Sequence, residues 1–147
     1  MSSTNASIAQ ANGALVITLH DEKMYFVAAS GRDGSRLGFG LPQAFARLGE
    51  DIVSCAQRVL FEQLSLSVPL SAIRYIGSVA LEANGELYWQ PIVLATPAKA
   101  VKQDKKGILA CSLDSLDGLL ASGGVAQAAS LAAIAFYNAK KNVGHIA

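Results

Sequence analysis

Asn84-Gly85, set between the runs IRYIGSVAL (73–81) and LYWQPIVLATP (87–97), constrains this chain more than any other dipeptide in it. Both residues tolerate positive φ, the conformation that a tight turn between twisted strands demands. Both flanks are rich in β-branched, aromatic and large apolar side chains, so a hairpin is predicted there. Pro91 cannot donate to a ladder, which places it at a bulge or on an edge. A second pair of runs, ALVITLH (14–20) and MYFVAAS (24–30), flanks the polar Asp21-Glu22-Lys23 and reads as another hairpin.

Between the hairpins, GRDGSRLG (31–38) is a Gly-rich loop carrying Arg32 and Arg36, and FGLP leads on to GEDIVSCAQRVLFEQLSL (49–66). A helix is predicted over 51–64. At about 100° per residue, Val53, Leu60 and Leu64 form a stripe suited to packing on a sheet. Ile52, Cys55, Ala56, Val59 and Gln63 share a neighbouring face, with Glu62 beside them. Ser54, Gln57, Arg58 and Phe61 take the remaining side. The amide at position 63 interrupts an otherwise apolar face. Downstream, AKAVKQDKKG (98–107) is a basic loop, Ser112 can cap a short helix SLDSLDGLLAS with Asp114 in its first turn, and Gly123-Gly124 ends it. An Ala-rich helix follows over 125–141, with Lys140 and Lys141 in its last turn and Gly144 beyond. The order β-β-loop-α-β-β-α-α predicts an α/β fold: a mixed sheet with the 51–64 helix on one face and the 125–141 helix on the other.

The length of 147 residues suits one domain over 14–147 behind a disordered tail at 1–13. A chain that is 52% hydrophobic and 16% charged has the composition of a packed protein and excludes a disordered one. Twelve basic against eleven acidic residues leave +1, so no nucleic-acid footprint is expected. Cys55 and Cys111 stand apart, form no Cys-x-x-Cys pair, and read as buried reduced thiols. MSSTNASIAQANG lacks the basic and apolar regions of a signal peptide, and ASLAAIAFYNA is too short to span a membrane. The expectation is a soluble cytoplasmic protein with no membrane partner. The apolar content and the Ala-rich last helix favour a homodimer.

Leu41-Pro42-Gln43-Ala44, Glu50 and Arg58-Val59-Leu60-Phe61-Glu62-Gln63-Leu64-Ser65-Leu66 fall without a gap on a known frame. It is Gly-x5-Glu-x7-Arg-Glu-hydrophobic-x-Glu-Glu-x-Gly-hydrophobic, and the chain therefore resembles the Nudix hydrolases. Glu50, Arg58, Leu60, Glu62 and Leu66 agree with the frame; Ala44, Val59, Gln63 and Ser65 depart from it. The ending SLDSLDGLLASGGVAQAASLAAIAFY is similar to the ADP-ribose-type branch. The resemblance implies a Nudix-like α/β/α sandwich, a nucleoside diphosphate derivative as ligand, and Mg²⁺ to neutralise the diphosphate. It makes Glu62 and Glu50 the catalytic and metal-binding residues, with Arg58 a structural partner that orients Glu50.

A hard cation needs oxygen ligands, preferably charged. Carboxylates at 59, 62 and 63 would share a helix face, yet only Glu62 is one, so Mg²⁺ binding is expected to be weak or absent. The predicted function is binding, with slow hydrolysis at most; the alternative is a non-catalytic module that binds a ligand or a protein. Substrate contacts are expected from Arg32 and Arg36, whose forks suit phosphates, and from Gln63 and Trp89. Tyr88 and Trp89 alternate, so one of them faces the cleft and can stack a base. Lys99, Lys102, Lys105 and Lys106 could form a phosphate-attracting lid. His20 and His145 have no partner at a recognisable spacing.

Overall fold

The computed structural model describes residues 8–10, 13–30, 36–102, 107–125 and 127–142. Strand β1 is Ile8–Gln10, β2 Gly13–His20, β3 Lys23–Ser30, β4 Arg36–Gly40 and β5 Gln43–Phe45. Helix α1 (Ile52–Leu64) follows, then β6 (Ile73–Ala83), β7 (Glu86–Ala95) and β8 (Ile108–Ser112). The chain closes with α2 (Leu116–Ala121) and α3 (Ala128–Asn142).

Both predicted hairpins form. Asp21 and Glu22 turn the first at φ 51 and 59, and Asn84 and Gly85 the second at φ 54 and 80. The β6–β7 pair runs from Ala83↔Glu86 to Ile73↔Ala95, with its one irregularity between Tyr75 and Gly77. The bulge lies on β6, opposite Ile92 and Val93 and next to the Ser78↔Pro91 pair, while Pro91 itself sits on a strand paired on both sides. On the far side of β7, the β1 ladder ends at Trp89 and the β2 ladder begins at Ile92. Pro91 falls in the break between them, where a missing N–H costs no ladder bond. The tail expected over 1–13 is corrected in part: Ile8–Gln10 pair in parallel with Leu87–Trp89, and Gly13 opens β2. Strands β4, β5 and β8 were not anticipated. They are short. Strand β4 pairs with β3 just before it in the chain, while β8 and β5 are held by distant partners, β3 and β2.

Strand alternation sorts the core into two layers. Ala14, Val16, Tyr25, Val93 and Ala95 meet Cys55, Ala56, Val59, Leu60 and Leu64 of α1 on one face. Leu15, Ile17, Met24, Phe26, Ile92 and Leu94 meet Ala133, Ile134 and Tyr137 of α3 on the other. The two helices thus cover opposite faces, as the sequence predicts. Each fully buried Leu or Ile in these layers contributes about 1.5–3 kcal/mol. The helix stripe is shifted from the expected one: Val59 is buried and Val53 only half-buried. Both thiols are free and buried, and burial pushes their pKa values up.

Candidate functional site

The first group of predicted residues gathers where the chain enters α1. Asp51 caps the helix, its Oδ1 accepting from the Ser54 N–H at 2.7 Å. Gly49, at φ 81, gives the turn that brings Glu50 over the first helical residues. Arg58 donates to both oxygens of Glu50, from Nε and from Nη2, at 2.9 Å each. The Arg47 N–H also donates to Glu50 Oε1 at 2.9 Å. Together they hold the Glu50 carboxyl well below its ordinary 4.5, at about 2, with the Arg58 hydrogen bonds the largest cause. The same contacts raise the Arg58 guanidinium further above its ordinary range.

Arg58 also reaches the Phe45 carbonyl at 2.8 Å and, from Nη1, Glu62 Oε1 at 3.0 Å. Arg47 Nη2 donates to the other Glu62 oxygen at 3.2 Å. These contacts are unequal. Glu50 and Arg58 side chains are 15% and 16% exposed, whereas Glu62 is 42% and Arg47 68% exposed. The bidentate Arg58–Glu50 pair is the strong one. The exposed Arg47–Glu62 pair contributes about 0–1 kcal/mol.

The second group lies on the α3 face, at the beginnings of β2 and β7. A cavity of about 620 Å³ is lined by Gly13, Ala14, Gln43, Ala44, Phe45, Tyr88 and Gln90. Register explains Gln43, Phe45, Tyr88 and Gln90 in the lining, whereas Ala14 and Ala44 belong to the α1 layer. Leu15, on the α3 face, pairs with Gln43, so Gln43 and Phe45 project to that face. Tyr88 and Gln90 share a parity with Ile92 and project there too. Gln43, in the lining, belongs to a chain of hydrogen bonds. Gln43 Nε2 and Ser130 Oγ each donate to Gln127 Oε1 at 3.0 Å, and the Leu41 N–H donates to Ser130 Oγ at 2.9 Å. Gln63 Nε2 donates to the Gln43 carbonyl at 2.9 Å, tying α1 to β5. Buried Gln90 donates to the Pro91 carbonyl at 3.1 Å.

Glu50, Arg58 and Glu62 are therefore brought together, while Gln63 works beside the cavity as a tie. Trp89 projects to the face opposite Tyr88, and it is Tyr88 that lines the cavity. Arg32, Lys105 and Lys106 lie outside the described residues, as does the side chain of Arg36, whose backbone pairs with Ser30. Lys99 and Lys102 are exposed. The sequence reading missed Arg47, Gln43, Phe45, Gln90 and Gln127. Arg47 alone left a local signal, its i,i+3 spacing to a carboxylate at a helix entry.

No protein-family model matches the sequence, and no curated protein matches it either. Solved structures do. An ADP compounds hydrolase superposes with a TM-score of 0.69 at 14% identity, covering 91% of this chain and 75% of that one. A Nudix hydrolase from Nitrosomonas europaea gives 0.68 at 18% identity, over 90% and 91% of the two chains. The Nudix domain of Shewanella oneidensis NrtR, solved in complex with ADP ribose, gives 0.58 at 16% identity, over 80% and 82%. This chain has the Nudix fold.

The Nudix fold raises the question of Mg²⁺, on which the surroundings of the two carboxylates bear. Both Glu50 oxygens and both Glu62 oxygens already accept from a guanidinium. Two carboxylates and two guanidiniums leave no net negative charge to attract a cation. Val59 is fully buried in the α1 layer and has no ligand atom, and the Gln63 amide is neutral. Among the described residues, no three His, Cys, Asp or Glu come together as a metal-binding group. Glu62 alone could be released cheaply, and one carboxylate does not make a Mg²⁺ site.

Proposed function

We propose that this chain uses the Nudix fold to bind a nucleoside diphosphate derivative and does not hydrolyse it at an enzyme's rate. The observation that carries the reading is the closure of Glu50 and Glu62 by Arg58 and Arg47. A site that neutralises its own carboxylates has no charge left to hold the metal on which a diphosphate hydrolase of this kind depends. The ligand class is supported by the ADP ribose held by the Shewanella oneidensis Nudix domain and by the ADP compounds on which another neighbour acts.

The test is calorimetric titration with ADP-ribose, with Mg²⁺ and with EDTA, beside chromatographic assay of AMP release. We expect the same affinity in both buffers and turnover below about 10⁻³ s⁻¹, against the roughly 1–10³ s⁻¹ of ordinary enzymes. Rapid AMP release that EDTA abolishes overturns the reading and returns Glu62 to the role of metal ligand. We further propose a cytoplasmic homodimer. Two free buried thiols suit a reducing compartment, and no helix among the described residues is long and apolar enough to cross a membrane.

A further inference from the structure

We propose that a pocket where β6 begins and β7 ends binds the terminal phosphoryl group of a small molecule, as free phosphate or as a monoester. The site is separate from both groups of residues described above. Its volume is about 270 Å³, and it is lined by Ser71, Ala72, Ile73, Arg74, Leu94 and Thr96. That is below the roughly 300–1,000 Å³ of sites that enclose drug-sized ligands, and it suits a small ion or monoester. Gln90, in the first cavity, lies four residues before Leu94 on β7, a separation of roughly 13 Å along a strand. Ile92, fully buried beneath α3, stands between them.

The lining brings donors together without an acid to neutralise them. All three ion pairs among the described residues lie at the α1 entry, so Arg74 has none. Its guanidinium makes no hydrogen bond to a described residue, and neither do the exposed Ser71 and Thr96 hydroxyls. The backbone fixes their spacing: the Thr96 N–H donates to the Ala72 carbonyl at 3.0 Å, and the Ala72 N–H to the Pro69 carbonyl at 2.9 Å. Arg74 pairs with Leu94 and therefore leaves β6 on the α3 face. There it acts on buried Tyr137, opposing the burial that pushes that phenol up. Lys141 is one turn beyond Tyr137 on the same side of α3, and Lys140 sits 5.3 Å over the Phe136 ring, which packs against Gly77 of β6. No Asp or Glu occurs in 67–74, 93–102 or 128–142, so the segments around the pocket are wholly basic in charge. A guanidinium fork donates to two oxygens of one anion, and the two hydroxyls supply donors for a third. A tetrahedral phosphoryl group uses that whole set, whereas the fork alone takes up both oxygens of a carboxylate.

The experiment titrates the isotope-labelled whole chain with inorganic phosphate, glycerol 3-phosphate and acetate, following the backbone amides by NMR at low and at raised NaCl. It is then repeated with Arg74→Ala, Arg74→Lys and Thr96→Val. Phosphate should bind with a Kd on the order of 1 mM, shifting the amides of Ser71–Arg74 and Thr96 together. Raised NaCl should weaken it, because the fork faces solvent and is screened. Arg74→Ala, at an exposed residue, leaves the fold intact and should weaken phosphate about tenfold or more. Arg74→Lys, which keeps the charge and loses the fork, should fall between the two. Thr96→Val should weaken phosphate about threefold, with its melting curve checking the fold. Binding of inorganic phosphate alone assigns the site to the free ion, and binding of glycerol 3-phosphate assigns it to the monoester; either supports the site. Acetate bound as tightly as phosphate makes this a carboxylate pocket and overturns the inference. So does unchanged phosphate affinity in Arg74→Ala, or the absence of shifts at these amides in tens of millimolar phosphate.

Discussion

Glu50 and Glu62 share one guanidinium but not one environment, and the difference is measurable. Glu50 is lowered to about 2 from an ordinary 4.5, so it stays charged in the folded protein at pH values where the unfolded chain takes up a proton. Its contribution to stability is full above about pH 4.5 and is lost as pH falls from there through about 2. Glu50→Gln should therefore lower the melting temperature by about 5 °C at neutral pH. The gap between variant and natural protein should close as melts are repeated towards pH 2; a gap that stays constant would mean that the pair contributes through shape and not through charge. Glu62→Gln, on the exposed partner, should leave the neutral-pH melt within about 2 °C of the natural protein. Residue spacing made this cluster legible, since Glu50, Arg58 and Glu62 lie within reach along one helix entry. The Arg47–Glu62 contact and the Gln43–Gln127 pair were not legible, because the 15 and 84 residues that separate their partners are bridged only by the fold.

Elements were readable in proportion to how local their causes are. The hairpins at Asp21-Glu22 and Asn84-Gly85 rest on turn chemistry within a few residues, and they formed where expected. Helix α1 ends at Leu64, within its expected range, and α3 begins at Ala128, inside its own. By contrast, β5 is three residues long and exists because Gly13–Leu15 offer it an edge. Strand alternation showed that Tyr88 and Trp89 must part, but only packing decides which of them faces α3. The junction of β4, β5 and α3 gives a test at this scale. A Cβ on Gly40 would collide with the Gln127 amide, the same group that anchors Gln43 and Ser130. Gly40→Ala should cost about 1–2 kcal/mol in the natural protein by displacing that amide, and Gln127→Ala about 1 kcal/mol by removing it. Combined, they should cost about 1 kcal/mol less than their sum, because the collision is gone. Strict additivity in urea denaturation would sink the idea that one amide organises the junction.

At the scale of the molecule, the apolar surface bears on association. Phe45, Leu48, Phe61, Leu70 and Leu131 are all exposed in the single chain. Light scattering at tens of micromolar should report a homodimer, and a monomer mass there would refute it. The sheet has a further consequence in time. Its middle strand, β7, joins β6 on one side and both β1 and β2 on the other, and Leu15 pairs with Ile92. The ribosome therefore releases β2 long before the strand that completes it, while the β6–β7 hairpin can close as soon as it is made. If that hairpin leads folding, Asn84→Ala, at a residue with φ 54, should slow refolding about fivefold and leave unfolding nearly unchanged. An effect confined to unfolding would show that the hairpin closes late. Until Ile92 emerges, the run from Leu15 to Ile17 is an apolar strand with an open edge, and in the growing polypeptide a chaperone or a neighbouring nascent chain can reach it first.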